Sequence, residues 1–209
     1  RYMENIQMVD LLGQYSKIQK EVDQAILDVV RSSAYINGPE VKTLQKELED
    51  YLDVKHVIPC ANGTDALQVA MMALGLKPGD EVITASFTYV ATAEVIALLQ
   101  LTPVLVDVDP NTFNIDPESI KKAITPKTKA IVPVHLFGQS SNMDEVMKIA
   151  KEHNLFVIED TAQAIGAEYT FNNGKTQKVG TIGDVGCLSF NGNKIITSGG
   201  GGMILTNDK

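Results

Sequence analysis

In "SKIQKEVDQAILDVVRSS", Ile18, Val22, Ile26 and Val29 recur at helical spacing, which predicts an amphipathic helix. "AYINGPE" interrupts it, and "VKTLQKELEDYLD" resumes a helical pattern through Leu44, Leu48 and Leu52. Beyond residue 54 the pattern alternates. "VKHVIPC", "DEVITAS", "TPVLVDVD", "AIVPVHL", "LFVIED" and "DVGCLSF" are short apolar runs. Between them lie the helical stretches "TDALQVAMMALG", "YVATAEVIALLQ", "DPESIKKAI" and "NMDEVMKIAKEHN", and "GGMILT" reads as a closing strand. Short apolar strands alternating with amphipathic helices predict βαβ units, hence a mainly parallel sheet covered on both faces. The expected fold is a three-layer α/β/α domain running through all 209 residues, without internal repeat or linker.

Composition narrows the partners. With 44% hydrophobic residues the chain suits a soluble globular domain. Its net charge of -8, with no Lys or Arg cluster, argues against nucleic acid or an anionic membrane surface. Cys60 and Cys187 each sit inside an apolar run, as reduced thiols of a cytoplasmic protein do. His56, His135 and His153 are scattered, so no zinc or other metal site is expected. No signal peptide or membrane-length apolar run is visible, and Arg1 and Tyr2 ahead of Met3 read as additions before a native start.

In open α/β sheets, ligands bind beyond the C-terminal ends of the strands. "CANGTDAL" puts Gly63 and Thr64 there: either an anion seat at a helix start or an ordinary turn with Thr64 or Asp65 as N-cap. "FVIEDTAQAIGA" ends an apolar strand on Glu159 and Asp160. Asp160 could meet a cation or cap a following short helix, and Gln163 would share its side if that helix forms. "ASFTYVATAE" offers Phe87, whose default place is the core, and Tyr89, which could stack on a flat ligand. In "SFNGNKIITSGGGGMI", Lys194 sits among small polar residues, and a lysine withdrawn from water is a nucleophilic amine. Ser189 offers a hydroxyl to an anion, while the glycine run lacks the order of a Walker motif. Pyridoxal phosphate asks for this whole set: donors for its phosphate, a ring to stack on, a carboxylate for the pyridine nitrogen and an amine for the aldehyde.

"YINGPEV", "NGTDALQVAMMALGLKPGDEVI", "FTYVATAE", "PVLVDVDP", "AIVPVHLFGQ", "VIEDTAQAIGA" and "SFNGNK" occur in one order, and through them nearly the whole chain resembles the DegT/DnrJ/EryC1/StrS sugar aminotransferases. The resemblance implies the large domain of a fold-type I pyridoxal phosphate enzyme, acting as a homodimer with the active site at the subunit boundary. It makes Lys194 the Schiff-base lysine and proton shuttle, Asp160 the pyridinium partner and Gln163 the contact to the phenolic oxygen. Tyr89 becomes the stacking ring, Gly63, Thr64 and Ser189 the phosphate cradle, and Asn37 and Gly38 residues near the sugar nucleotide. The implied reaction moves an amino group from an amino acid, usually glutamate, to a nucleoside-diphosphate keto sugar, in surface polysaccharide or glycan synthesis. "SFNGNKIITSGGGG" resembles members that act on 4-keto-6-deoxy sugars, whereas the earlier motifs equally resemble members that act on UDP-linked 3-keto sugars. Lys194 argues against the related dehydratases, which carry histidine there. The intact set of cofactor positions argues against a non-catalytic scaffold, and "CANGTDAL" argues against a nicotinamide-dependent oxidoreductase. The family's smaller C-terminal domain is absent from these residues, so the chain alone is expected to catalyse poorly.

Overall fold

The computed structural model describes residues 10–208, so Arg1, Tyr2 and Met3 lie outside the described residues. The chain divides into two compact units, one through Leu44 and one from Gln45 onward. The first holds α1 (Leu11–Ser32) and the start of α2 (Pro39–Leu52). α1 begins earlier than its apolar pattern because the Asp10 side chain accepts the Gly13 N–H at 2.8 Å, an N-cap. It ends on Ser33 in the left-handed region at φ 56°. Asn37 is also left-handed, at φ 48°, and Pro39 opens α2, where its missing N–H costs nothing.

The second unit is built on a seven-stranded sheet in the order β1 (His56–Cys60), β9 (Gly202–Thr206), β8 (Val185–Ser189), β5 (Phe156–Asp160), β4 (Thr128–Val132), β2 (Glu81–Ala85), β3 (Thr102–Val106). The strands from β8 to β3 are mutually parallel, while β9 pairs antiparallel with both β8 and β1. The sheet is therefore mainly parallel, with β9 alone reversed.

Alternation along the central strands feeds two cores. Val82, Ala130, Val132 and Ile158 pack with Ala66, Leu67, Ala70 and Met71 of α3 (Gly63–Ala73) and Val95 and Ile96 of α4 (Ala91–Leu98). Their neighbours Ile83, Ile131 and Val157 pack with Ile120 of α5 (Pro117–Ala123) and Met143, Val146 and Ile149 of α6 (Met143–His153). Each such aliphatic side chain contributes roughly 1.5–3 kcal/mol on burial. A third cluster joins Leu48 and Leu52 to Val57, Leu188, Met203 and Leu205. These layers are the expected α/β/α arrangement.

Several local expectations change. Asn62, rather than Thr64 or Asp65, caps α3, its side chain accepting the Asp65 N–H at 2.8 Å. No helix follows Asp160; residues 161–167 form successive turns. Phe87 is 51% exposed rather than core, tilted against Phe113 with centroids 5.6 Å apart. A small hairpin, β6 (Glu168–Thr170) with β7 (Thr176–Lys178), is present as well. Cys187 is buried and Cys60 half-buried, with β9 standing between their strands. Among the described residues no helix is long and apolar enough to cross a membrane, and no cluster of His, Cys, Asp or Glu could hold a metal ion.

Candidate active site

At the C-terminal ends of β1, β5 and β8 lies a cavity of about 460 Å³. Gly63 and Thr64 stand at the start of α3, where the first N–H groups have no partner within the helix and the dipole favours an anion. Ser189, the last residue of β8, lines the same wall. Gly63 is required here for space: a Cβ on it would lie 2.7 Å from Ser189 Cβ and 3.2 Å from its hydroxyl oxygen. The α3 start ahead of the capped Asp65 N–H, flanked by two hydroxyls, Thr64 and Ser189, forms a small seat without a cation, suited to a phosphate.

Asp160 ends β5 and is 7% exposed. Its peptide is clamped by an N–H donated to the Pro133 carbonyl at 2.9 Å and by its own carbonyl accepting the His135 N–H at 3.0 Å. Its carboxylate accepts the Ala162 N–H on Oδ1 at 3.1 Å and the Thr92 hydroxyl on Oδ2 at 2.8 Å. The neighbouring Glu159 is wholly buried. It accepts from the Ile182 and Gly183 N–H groups at 2.7 Å, the Gly180 N–H at 2.8 Å and His135 Nε2 at 2.8 Å. His135 Nδ1 accepts the Ser141 N–H at 3.1 Å, which leaves Nε2–H as the donor to Glu159. Glu159 thus ties the 180–183 turn to the strand that presents Asp160.

Lys194 lies in the turn between β8 and β9, its peptide N–H donating to the Asn191 carbonyl at 3.0 Å. It is half-buried rather than withdrawn from water, and its Nζ is 6.0 Å from the centroid of the Tyr89 ring, at the outer reach of a cation–π contact. Tyr89 itself is 69% exposed at the mouth of the cavity. Gln163 Oε1 accepts the Phe137 N–H at 3.0 Å, which leaves its amide NH₂ as the group available to the cavity. The glycine run closes the β8–β9 connection, with Phe190 N–H bonded to Gly201 O at 2.8 Å, and Gly200 lines the cavity.

All seven residues expected to hold a cofactor, Gly63, Thr64, Tyr89, Asp160, Gln163, Ser189 and Lys194, therefore line one cavity. Asn37 and Gly38 belong to the N-terminal unit, where a Cβ on Gly38 would overlap the Ala34 carbonyl. Sequence reasoning missed Thr88, whose buried hydroxyl has no partner among the described residues and which lines the cavity. It missed Phe137 too, held at φ 55° in the left-handed region that bulky residues avoid. A smaller space of about 260 Å³ adjoins, and Gln163, Asn193 and Lys194 line both, so the amine stands between the two. A larger apolar cavity of about 790 Å³ beside β1 and α3 is lined by no lysine or arginine.

The sequence matches the DegT/DnrJ/EryC1/StrS aminotransferase family over residues 16–209. The chain belongs to that family. It is 48% identical, over 97% of its length, to the UDP-2-acetamido-2-deoxy-3-oxo-D-glucuronate aminotransferase of Pseudomonas aeruginosa, covering 55% of that protein. It is 52% identical, over 82% of its length, to the GDP-perosamine synthase of Caulobacter vibrioides, covering 45% of it. Among solved structures, NtdA of Bacillus subtilis with bound cofactor PMP aligns over 100% of this chain and 47% of its own, at 34% identity and a TM-score of 0.85. The chain thus spans about half the length of the curated relatives it matches.

Proposed function

We propose that this chain is the cofactor-binding part of a pyridoxal phosphate-dependent, homodimeric, cytoplasmic aminotransferase. It would move an amino group from an amino acid, with glutamate the expected donor, to a nucleoside-diphosphate keto sugar. The carrying observation is that one amine, one strand-end carboxylate, one aromatic ring and one anion seat converge on a single cavity. The unpartnered Thr88 hydroxyl adds a donor that a polar ligand would satisfy. The donor set fits the cofactor: two hydroxyls and a helix start for its phosphate, Asp160 for its ring nitrogen and Lys194 for its aldehyde.

When bound, the cofactor supplies an electron-poor ring that stabilises negative charge on the substrate carbon. The chain supplies the rest. Asp160, acceptor-only when ionised, would keep a proton on the ring nitrogen. The Gln163 amide would donate to the phenolic oxygen, and Tyr89 would cover a ring face. Lys194, between the two spaces, would hold and move the proton at its Nζ. Asn37 and Gly38 would lie near the sugar nucleotide.

Two acceptor classes have support. The lysine segment "SFNGNKIITSGGGG" favours a 4-keto-6-deoxy sugar. The name of the Pseudomonas relative favours a UDP-linked 3-keto sugar. The test begins with an absorbance spectrum of the purified protein with pyridoxal phosphate, before and after borohydride. A visible band, trapped covalently by borohydride in wild type and absent in Lys194→Ala, is expected. Equal trapping in the variant would refute the assignment of Lys194. Presenting glutamate with each class of keto sugar nucleotide then separates the acceptors by which one gains nitrogen.

A further inference from the structure

We infer that Thr92 is a positioning residue that aims the Asp160 carboxylate, an inference that rests on the cofactor reading above. Thr92 is wholly buried on the first turn of α4, and its hydroxyl donates to Asp160 Oδ2 at 2.8 Å across 68 residues of sequence. A buried helical threonine ordinarily returns its hydroxyl to the carbonyl one turn back. Here it is spent on a carboxylate in another element.

The consequence is geometric. An ionised carboxylate only accepts, so Thr92 must be the donor. With the Ala162 N–H on Oδ1, each carboxylate oxygen holds one fixed donor, and rotation about the Cβ–Cγ bond is stopped. Each oxygen keeps a further lone pair. Asp160 lines the cavity, so a cationic N–H placed there meets an acceptor that need not turn. Tyr89 lies just ahead of the same turn, so one helix start sets both the stacking ring and the carboxylate's brace.

Thr92→Val keeps the shape and removes the donor, and Thr92→Ser returns it. In Thr92→Val the dissociation constant for pyridoxal phosphate should rise about tenfold, the scale of one hydrogen bond to a charged group. The ¹⁵N resonance of ring-labelled cofactor should move toward its unprotonated position, and Thr92→Ser should recover both readouts. In an Asp160→Ala background Thr92→Val should change neither. Wild-type affinity and ¹⁵N position in Thr92→Val, whatever its stability, would overturn the inference. A urea-denaturation cycle of Thr92→Val with Asp160→Ala on cofactor-free protein decides the brace independently. Losses that fail to add support it, and additive losses refute it. Wild-type protein that takes up no cofactor would refute the cofactor reading, leaving the cycle to judge the contact.

Discussion

Glu159→Gln is nearly isosteric, yet it should be among the most damaging substitutions in the chain. Four donors converge on this wholly buried carboxylate: the peptide N–H groups of Gly180, Ile182 and Gly183, and His135 Nε2. The setting suits an acceptor-only group. A glutamine keeps one oxygen, enough for Ile182 and Gly183, but turns its NH₂ toward Gly180 N–H and His135 Nε2–H. His135 cannot change tautomer without losing the Ser141 N–H that donates to its Nδ1. Two donors are left buried and opposed by a third. At about 1–3 kcal/mol for each unsatisfied group, the loss is about 2–6 kcal/mol, comparable to breaking one partner of a buried ion pair. Urea denaturation of cofactor-free wild type and variant, followed by far-ultraviolet circular dichroism, measures it. A Glu159→Gln protein within about 1 kcal/mol of wild type would refute the reasoning, because a single lost neutral hydrogen bond would then suffice.

Other outcomes follow from the same structure. Burial, then the charge of Asp160, pushes the Cys187 thiol well above its ordinary range, and burial pushes the half-exposed Cys60 up as well. At pH 8 the native protein should therefore resist iodoacetamide at Cys187 and react slowly at Cys60, with both alkylated in urea; rapid native labelling of Cys187 would contradict this. Asp116 caps α5; partial burial pushes its carboxyl up, but hydrogen bonds from Ser119 and Glu118 and the charge of Lys122 outweigh that and hold it below the usual value near 3.8. Its contribution to stability is thus complete above about pH 4 and fades as the pH falls through the lowered value. Asp116→Ala should cost about 1 kcal/mol at pH 7 and progressively less as the pH is taken below about 4, as read by denaturation. Gly63→Ala should displace Ser189, costing about 1–3 kcal/mol and weakening phosphate binding; unchanged inorganic phosphate affinity by calorimetry would count against the cradle.

Helices with a clear apolar face, and strands buried on both sides, were legible because the period of burial is written in the residues. The sequence could not tell that β9 runs against its neighbours, since pairing partners such as His56 and Thr206 lie far apart in the chain. The β6–β7 hairpin escaped because "EYT" and "TQK" are too short and polar to alternate, although Asn173-Gly174 marks the turn between them. Seven of the residues lining the cavity were visible near strand ends as exceptions to the apolar pattern, whereas Thr88 was not. Their supports were not: Thr92 looks like an ordinary helix residue, and Glu159 and His135 reveal their pairing only when β4 and β5 are laid side by side. Phe87 was assigned to the core on hydrophobicity alone, which says nothing of which end of a strand faces out.

The sheet order carries a consequence for how the molecule is made. β1 has no partner until β9 exists, and their pairing, Cys60 with Gly202 through His56 with Thr206, spans most of the chain. A ribosome releasing the protein from its N-terminus therefore emits β1 with both edges open and leaves it so until β9, far along the sequence, has emerged. Lys194 sits in the loop between β8 and β9 and takes its place only when β9 zips between its neighbours. Closure over so long a separation is slow. The amine is thus fixed only after β9 has been made, and a nascent chain arrested before β9 would expose both the β1 and β8 edges to chaperones and to aggregation.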